Sequence, residues 1–137
     1  MRVVLDTNVI ISAFMSLQSV PRTAVNLWVQ KRYQLVSSTW QLKELRKVSR
    51  YPKVRARVKQ PAEIGAFINL VYKRAFLVTN LPRLDISPDP DDNFIVATAL
   101  VGQADYLVSG DKLDLQQLKK VSKTKVISAA QFVKLFG

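Results

Sequence analysis

The sequence contains no cysteine and no histidine. The first absence excludes disulfides, zinc–thiolate sites, iron–sulfur clusters and a cysteine nucleophile. The second removes the Ser–His–Asp triad, imidazole acid–base catalysis and every histidine-ligated metal site. Glycine is scarce: Gly65, Gly102, Gly110 and Gly137 are the only four. Neither GxGxxG nor a phosphate-cradling P-loop can be written with them. No apolar run approaches the ~20 residues that span a bilayer. The N-terminal Met1-Arg2-Val3-Val4-Leu5-Asp6 is interrupted too soon for a signal peptide, so the expected location is the cytoplasm, with no membrane partner. Acids are also few, 10 Asp and Glu against 21 Lys and Arg. Any catalysis must therefore rest on carboxylates, hydroxyls, amides and cations.

What is present fits one ordinary domain over residues 1–137. Apolar residues make up 48% and charged residues 23%, and a chain of this length buries roughly two-thirds of its unfolded surface without staples. The net charge of +11 favours polyanionic partners, nucleic acid before anionic membrane. The charges are also segregated. Residues 43–59 hold eight cations and one acid, Glu44, whereas residues 85–114 hold seven acids and one cation, Lys112. A basic surface with an acidic focus suits an enzyme that attracts phosphates and holds metal ions against them.

The hydrophobic pattern alternates strands and helices. Val3-Val4-Leu5 is a short apolar run that reads as a buried strand, followed by a helix to Met15 with Asn8 as a candidate cap. Pro21 opens a helix to about Arg32, and Tyr33 to Ser37 reads as a second strand. Ser38 and Gln41 have capping-box spacing, which predicts a helix from Thr39 to Arg50. On it Leu42, Leu45 and Val48 form an apolar strip, and Lys43, Arg46, Lys47 and Arg50 share the opposite face. A short helix after Pro52 extends to about Lys59. Pro61 opens another with Ile64, Phe67, Ile68 and Val71 inward, and Phe76 to Thr79 is a third strand. After a proline-rich loop, Asp89 caps a helix that starts at Pro90 and stops at Gly102. Asp105 to Ser109 is a strand, Leu113 to Lys120 a short helix, Lys125 to Ser128 a last strand and Ala129 to Phe136 a closing helix. Strands apolar on both faces, alternating with helices, imply an α/β fold with a parallel sheet covered on both sides. Ligands of such sheets bind beyond the carboxyl ends of the strands.

Four acids converge on that rim. Asp6 ends the first strand, and Asp111 lies just past the strand ending at Ser109. Asp92 and Glu44 lie in early turns of helices that start there. Taken singly, each has a plainer role: Asp6 as a cap, Asp92 with Asp89 and Asp91 as helix-dipole complement, Glu44 as an exposed partner of Lys47, Asp111 as a turn residue. Their recurrence at one rim in so basic a chain favours a joint role. Crowded carboxylates repel unless a cation intervenes. Mg²⁺ is held by such oxygen donors together with substrate phosphates, and it assists phosphodiester hydrolysis without histidine.

Three stretches carry a resemblance to a known family: Val3-Val4-Leu5-Asp6-Thr7-Asn8-Val9, Asp89-Pro90-Asp91-Asp92-Asn93-Phe94-Ile95-Val96-Ala97-Thr98-Ala99, and Asp105-Tyr106-Leu107-Val108-Ser109-Gly110-Asp111. In this order, and spanning nearly the whole chain, they resemble a PIN domain. The resemblance implies a three-layer α/β/α sandwich with a mainly parallel sheet, and RNA cleavage dependent on Mg²⁺ or Mn²⁺. It implies a catalytic quartet of Asp6, Glu44, Asp92 and Asp111, with Asp6, Asp92 and Asp111 as metal ligands. Asn8, Ser109 and Asp114 match the supporting polar positions, Ser109 replacing the commoner threonine. The Asp-Pro-Asp-Asp-Asn run, with Tyr51-Pro52 after the basic helix, resembles most the toxin branch of the family, whose members are usually encoded beside an antitoxin that blocks the site.

The expected function is a metal-dependent endoribonuclease whose phosphate-tracking face is Lys43, Arg46, Lys47 and Arg50. Trp40 and Tyr51 flank that face, better suited to packing than to stacking on bases. The alternative is a non-catalytic RNA- or protein-binding module that retains the fold. DNA remains open as a substrate. A phosphoacceptor receiver domain fits poorly, because Phe76-Leu77-Val78 leads into Thr79-Asn80 rather than an aspartate. Phe14, Leu17, Val20, Leu27 and Trp28 suit a homodimer face and a core equally well.

Overall fold

Val3, Val4 and Leu5 are almost wholly buried and make the central strand β1 (Arg2–Leu5). The computed structural model, which describes residues 1–110 and 120–137, continues through α1 (Thr7–Met15), α2 (Val20–Val29), β2 (Gln34–Ser38), α3 (Thr39–Ser49), α4 (Pro52–Arg55) and α5 (Ala62–Arg74). Then come β3 (Phe76–Val78), α6 (Pro90–Val101), β4 (Tyr106–Val108), β5 (Lys120–Val121), β6 (Thr124–Ile127) and a last helix, Ala129–Lys134, here α7. The sheet order is β3-β2-β1-β4-β6-β5. All pairings are parallel except that of β5 with β6.

Successive side chains of a strand point to opposite faces, and strands β1, β2, β3, β4 and β6 each feed two cores. On one face Val3, Leu5, Leu35 and Val108 pack with α1, α2, α3, α5 and α7. Phe67 sits edge-on to Phe14 at 5.4 Å and to Trp28 at 5.6 Å. On the other face Val4, Val36, Val78, Leu107 and Val126 pack against Ile95, Val96 and Ala99 of α6. The result is the α/β/α sandwich the sequence implies. Among the described residues, α6 is the principal cover of that second face, joined by Trp40, Leu81 and Leu84. The chain moves outward from β1 through β2 to β3, then returns to place β4 on the other side of β1. The gap between the carboxyl ends of β1 and β4 is thus a topological switch point, where ligands of open α/β sheets bind.

Several local expectations shift. Asp6, not Asn8, is the N-cap position of α1. Helix α2 ends at Val29 rather than Arg32. Lys31 takes a φ of 64°, with Lys31 N–H on Trp28 O and Arg32 N–H on Leu27 O, a Schellman stop made without glycine. The second strand starts at Gln34, one residue late. The short helix after Pro52 ends at Arg55. The helix expected over Leu113 to Lys120 lies outside the described residues, save Lys120, which belongs to β5. Strand β5 and its turn to β6 were not expected. Phe14, Leu27 and Trp28 are core residues, while Leu17 and Val20 are exposed. Among the described residues no helix is long and apolar enough to cross a membrane.

Candidate active site

The carboxyl rim holds a cavity of about 330 Å³ next to the switch point. The end of β1 and the first turn of α1 contribute Asp6, Thr7 and Asn8. Helix α3 contributes Trp40, Glu44 and Val48, and Tyr51 follows it. Helix α6 contributes Asp91 and Ile95.

Asp6 is held from both sides. Its backbone N–H donates to Val108 O at 2.8 Å, and its carbonyl accepts from Val9 and Ile10. Its side chain makes no helix-capping bond, although the position invites one. The carboxylate, 98% buried, instead accepts from Ser109 Oγ at 3.3 Å. A buried carboxylate requires such partners. Ser109, at the end of β4, thus stands directly against the Asp6 carboxylate. Next in the chain, the Thr7 hydroxyl is buried and has no hydrogen-bond partner among the described residues.

Gln41 fixes α3 against β1. Its amide Nε2 donates to Leu5 O at 2.6 Å, and its Oε1 accepts from Ser37 Oγ. Ser38 Oγ caps α3 by accepting from Gln41 N–H at 3.1 Å. The Gln41 side chain thus bridges three elements instead of closing the capping box, and it sets the turn that carries Glu44. Sequence reasoning missed this residue's part in the site. Its capping-box spacing was visible, but the bond to Leu5 spans 36 positions.

On α6, Asp89 caps the helix by accepting from Asp91 N–H at 2.9 Å. Asp92 is 99% buried and accepts from Ser87 Oγ at 3.3 Å. Asp91, set aside in the sequence as a dipole complement, is the α6 acid that lines the cavity. Asn93 pins the preceding loop: its Oδ1 accepts from Ile86 N–H and Ser87 N–H at 2.9 and 2.8 Å, and its Nδ2 donates to Ser87 O at 3.0 Å. Thr98 Oγ1 lies 2.9 Å from both Ser38 Oγ and Phe94 O, tying α6 to the start of α3.

The structure therefore brings Asp6, Asn8 and Glu44 to one cavity with Asp91, and sets Asp92 at the buried side of the same helix turn. Asp111 and Asp114 lie outside the described residues. Among the described residues no group of three or more acids is placed to hold a metal ion. The expected cations Lys43, Arg46, Lys47 and Arg50 are all exposed along α3. Trp40 stacks on Phe94 with ring centroids 4.9 Å apart and planes at 20°, and Tyr51 is exposed. Asp105 has a separate structural role: its carboxylate accepts from Arg2 N–H at 2.8 Å and pairs with Lys123 at 3.7 Å.

In comparisons with known proteins, a family model described as PIN domain matches residues 2–113. Comparison with curated proteins gives no match.

Proposed function

The chain belongs to the PIN-domain family, whose members are typically nucleases, and from that premise we propose that it is a divalent-metal-dependent endoribonuclease, one domain over residues 1–137 acting in the cytoplasm. The observation that carries this reading is the buried Asp6 carboxylate at the β1/β4 switch point, sharing one cavity with Glu44 and Asp91.

The donor set fits a hard cation. Every candidate ligand is an oxygen, and the buried Thr7 hydroxyl beside Asp6 has no partner among the described residues. Asp6, Asp92 and Asp111 would hold Mg²⁺ or Mn²⁺, with Glu44 and Asp91 at the cavity wall. Bound there, the ion would activate water and stabilise charge on the leaving oxygen. The protein's own part is positional. Ser109 holds the Asp6 carboxylate, Ser87 holds that of Asp92, and Gln41 sets the turn that bears Glu44. Asn8 and Asp114 would support the ligands. The cations of α3 lie along the same helix as Glu44, so a backbone drawn to them is led toward the acids. Their attraction is electrostatic and falls steeply with salt. Attack by water would leave a 5′-phosphate.

The test is cleavage of single-stranded RNA by pure protein with Mg²⁺ or Mn²⁺. EDTA and Asp6→Asn should each lower the rate by at least about a hundredfold. Cleavage surviving both would belong to a contaminant. Within the family the Asp-Pro-Asp-Asp-Asn run supports a toxin whose antitoxin covers this rim. A non-catalytic RNA- or protein-binding module is favoured by one observation, the absence of a three-acid group among the described residues. Melting with and without Mn²⁺ separates the two. A metal site raises the transition by mass action in the wild type but not in Asp6→Asn, whereas a module without a site shows no shift in either.

A further inference from the structure

Beside the acidic cavity, across α6, lies a second one of about 420 Å³. Leu81, Pro82, Leu84 and Phe94 give it apolar walls, and Arg83 gives it positive charge. It is built in advance. Asn93, also on its lining, binds the backbone of Ile86 and Ser87 through both ends of its amide, which holds the loop in place. Phe94 is 38% exposed despite being aromatic. Its ring stacks on Trp40, and Trp40 lines the acidic cavity. The two cavities thus share an aromatic wall.

We propose that this second cavity is a base-binding subsite for single-stranded RNA, taking the nucleobase of a nucleotide adjacent to the bond held in the acidic cavity. The proposal rests on the nuclease reading given above. Phe94 supplies the stacking face, and Arg83 meets a neighbouring phosphate. Three observations favour RNA over a protein segment. The cavity adjoins the acidic one, because Phe94 of its lining stacks on Trp40 of the other. Its charged lining residue is cationic in a chain of net charge +11. A flat aromatic beside an apolar wall matches the unstacked bases of single strands, which bind by stacking with little demand on sequence. The duplex, whose bases are already stacked, gains nothing there.

The experiment is anisotropy titration in EDTA, so that binding is read without cleavage. The two probes are a short fluorescent oligouridylate and an abasic strand of the same length. Wild type should bind the oligouridylate roughly tenfold or more tightly than the abasic strand. Phe94→Ala should cut that ratio severalfold while leaving affinity for the abasic strand unchanged. Phe94→Leu, which keeps apolar volume without a π-face, should behave like the alanine variant, and Phe94→Tyr should restore the ratio. Arg83→Gln should keep the ratio and reduce the salt slope by about 0.7. A folded Phe94→Ala that discriminates like wild type overturns the subsite and leaves the face to a protein partner. An equal loss for both strands overturns it as well, by showing a structural effect. Base-dependent binding without any cleavage in Mn²⁺ would sink the nuclease reading and spare the subsite, whereas cleavage without Phe94-dependent discrimination would do the reverse.

Discussion

Tyr33 shows how one buried side chain sets a pH limit on the fold. Its hydroxyl donates to Ala24 O at 2.7 Å, its ring meets Phe132 edge-on at 5.1 Å, and burial drives the phenol's pKa well above its ordinary value. The folded state therefore keeps its proton where the unfolded chain, near pH ~10, would release it. The stability this group contributes is complete below pH ~10 and drains away as pH rises above it, because unfolding then liberates a proton. Urea unfolding of Tyr33→Phe should show a loss of about 1 kcal/mol at neutral pH and a shallower alkaline decline than wild type. An unchanged alkaline slope would mean that other groups set it. Asp6 and Gln41 teach a different lesson at this scale. Asp6 was legible because it terminates an apolar strand. Gln41 was legible only as half of a capping box, since its bonds to Leu5 and Ser37 depend on strands that meet only in space.

Among the elements, those with a strong apolar period or a side-chain cap were readable. Helix α5 has all four of its expected core residues buried, and α6 starts at the Asp89-Pro90 pair as anticipated. What could not be read were turns made by the wrong residues. Lys31, Gln103 and Ser122 adopt positive φ of 64°, 52° and 54°, where sequence reasoning looks for glycine or asparagine. Ser122 opens the two-residue turn between β5 and β6, and without that signal the hairpin stays hidden. Of the candidate site, Asp6 was named from its place at a strand end, Glu44 from an early helix turn and Ser109 from the family resemblance alone, whereas Asp91 was passed over because cap, dipole and cavity acids all adjoin in one run. Gly102 carries the converse message. It sits in an ordinary right-handed conformation at the end of α6, and Gln103 makes the left-handed stop. Glycine is needed for space: a Cβ would overlap Val36 Cγ1 and come within 3.0 Å of Thr98 O. Gly102→Ala should cost about 1–3 kcal/mol by overpacking, despite alanine's better helix propensity. Adding Val36→Ala should recover part of the overlap penalty, so a thermal-melt cycle that shows strict additivity would refute the clash.

For the molecule as a whole, the dominant fact is charge. With +11 overall and Lys43, Arg46, Lys47 and Arg50 exposed on α3, RNA affinity should fall linearly with salt on a logarithmic scale. Each phosphate neutralised on a single strand contributes about 0.7 to the slope. Replacing Arg46 and Arg50 with glutamine should flatten the slope by about 1.4 if both meet phosphates. A slope equal to wild type would place the backbone elsewhere. Shape adds a property that charge does not. The sheet is bordered by β3, three residues long, and by β5, two residues long. Among the described residues, a neighbouring chain seeking to extend the ladder finds two or three rungs at either border, a short template for edge pairing. Concentrated solutions of this protein should therefore resist edge-to-edge growth of the sheet through these two borders.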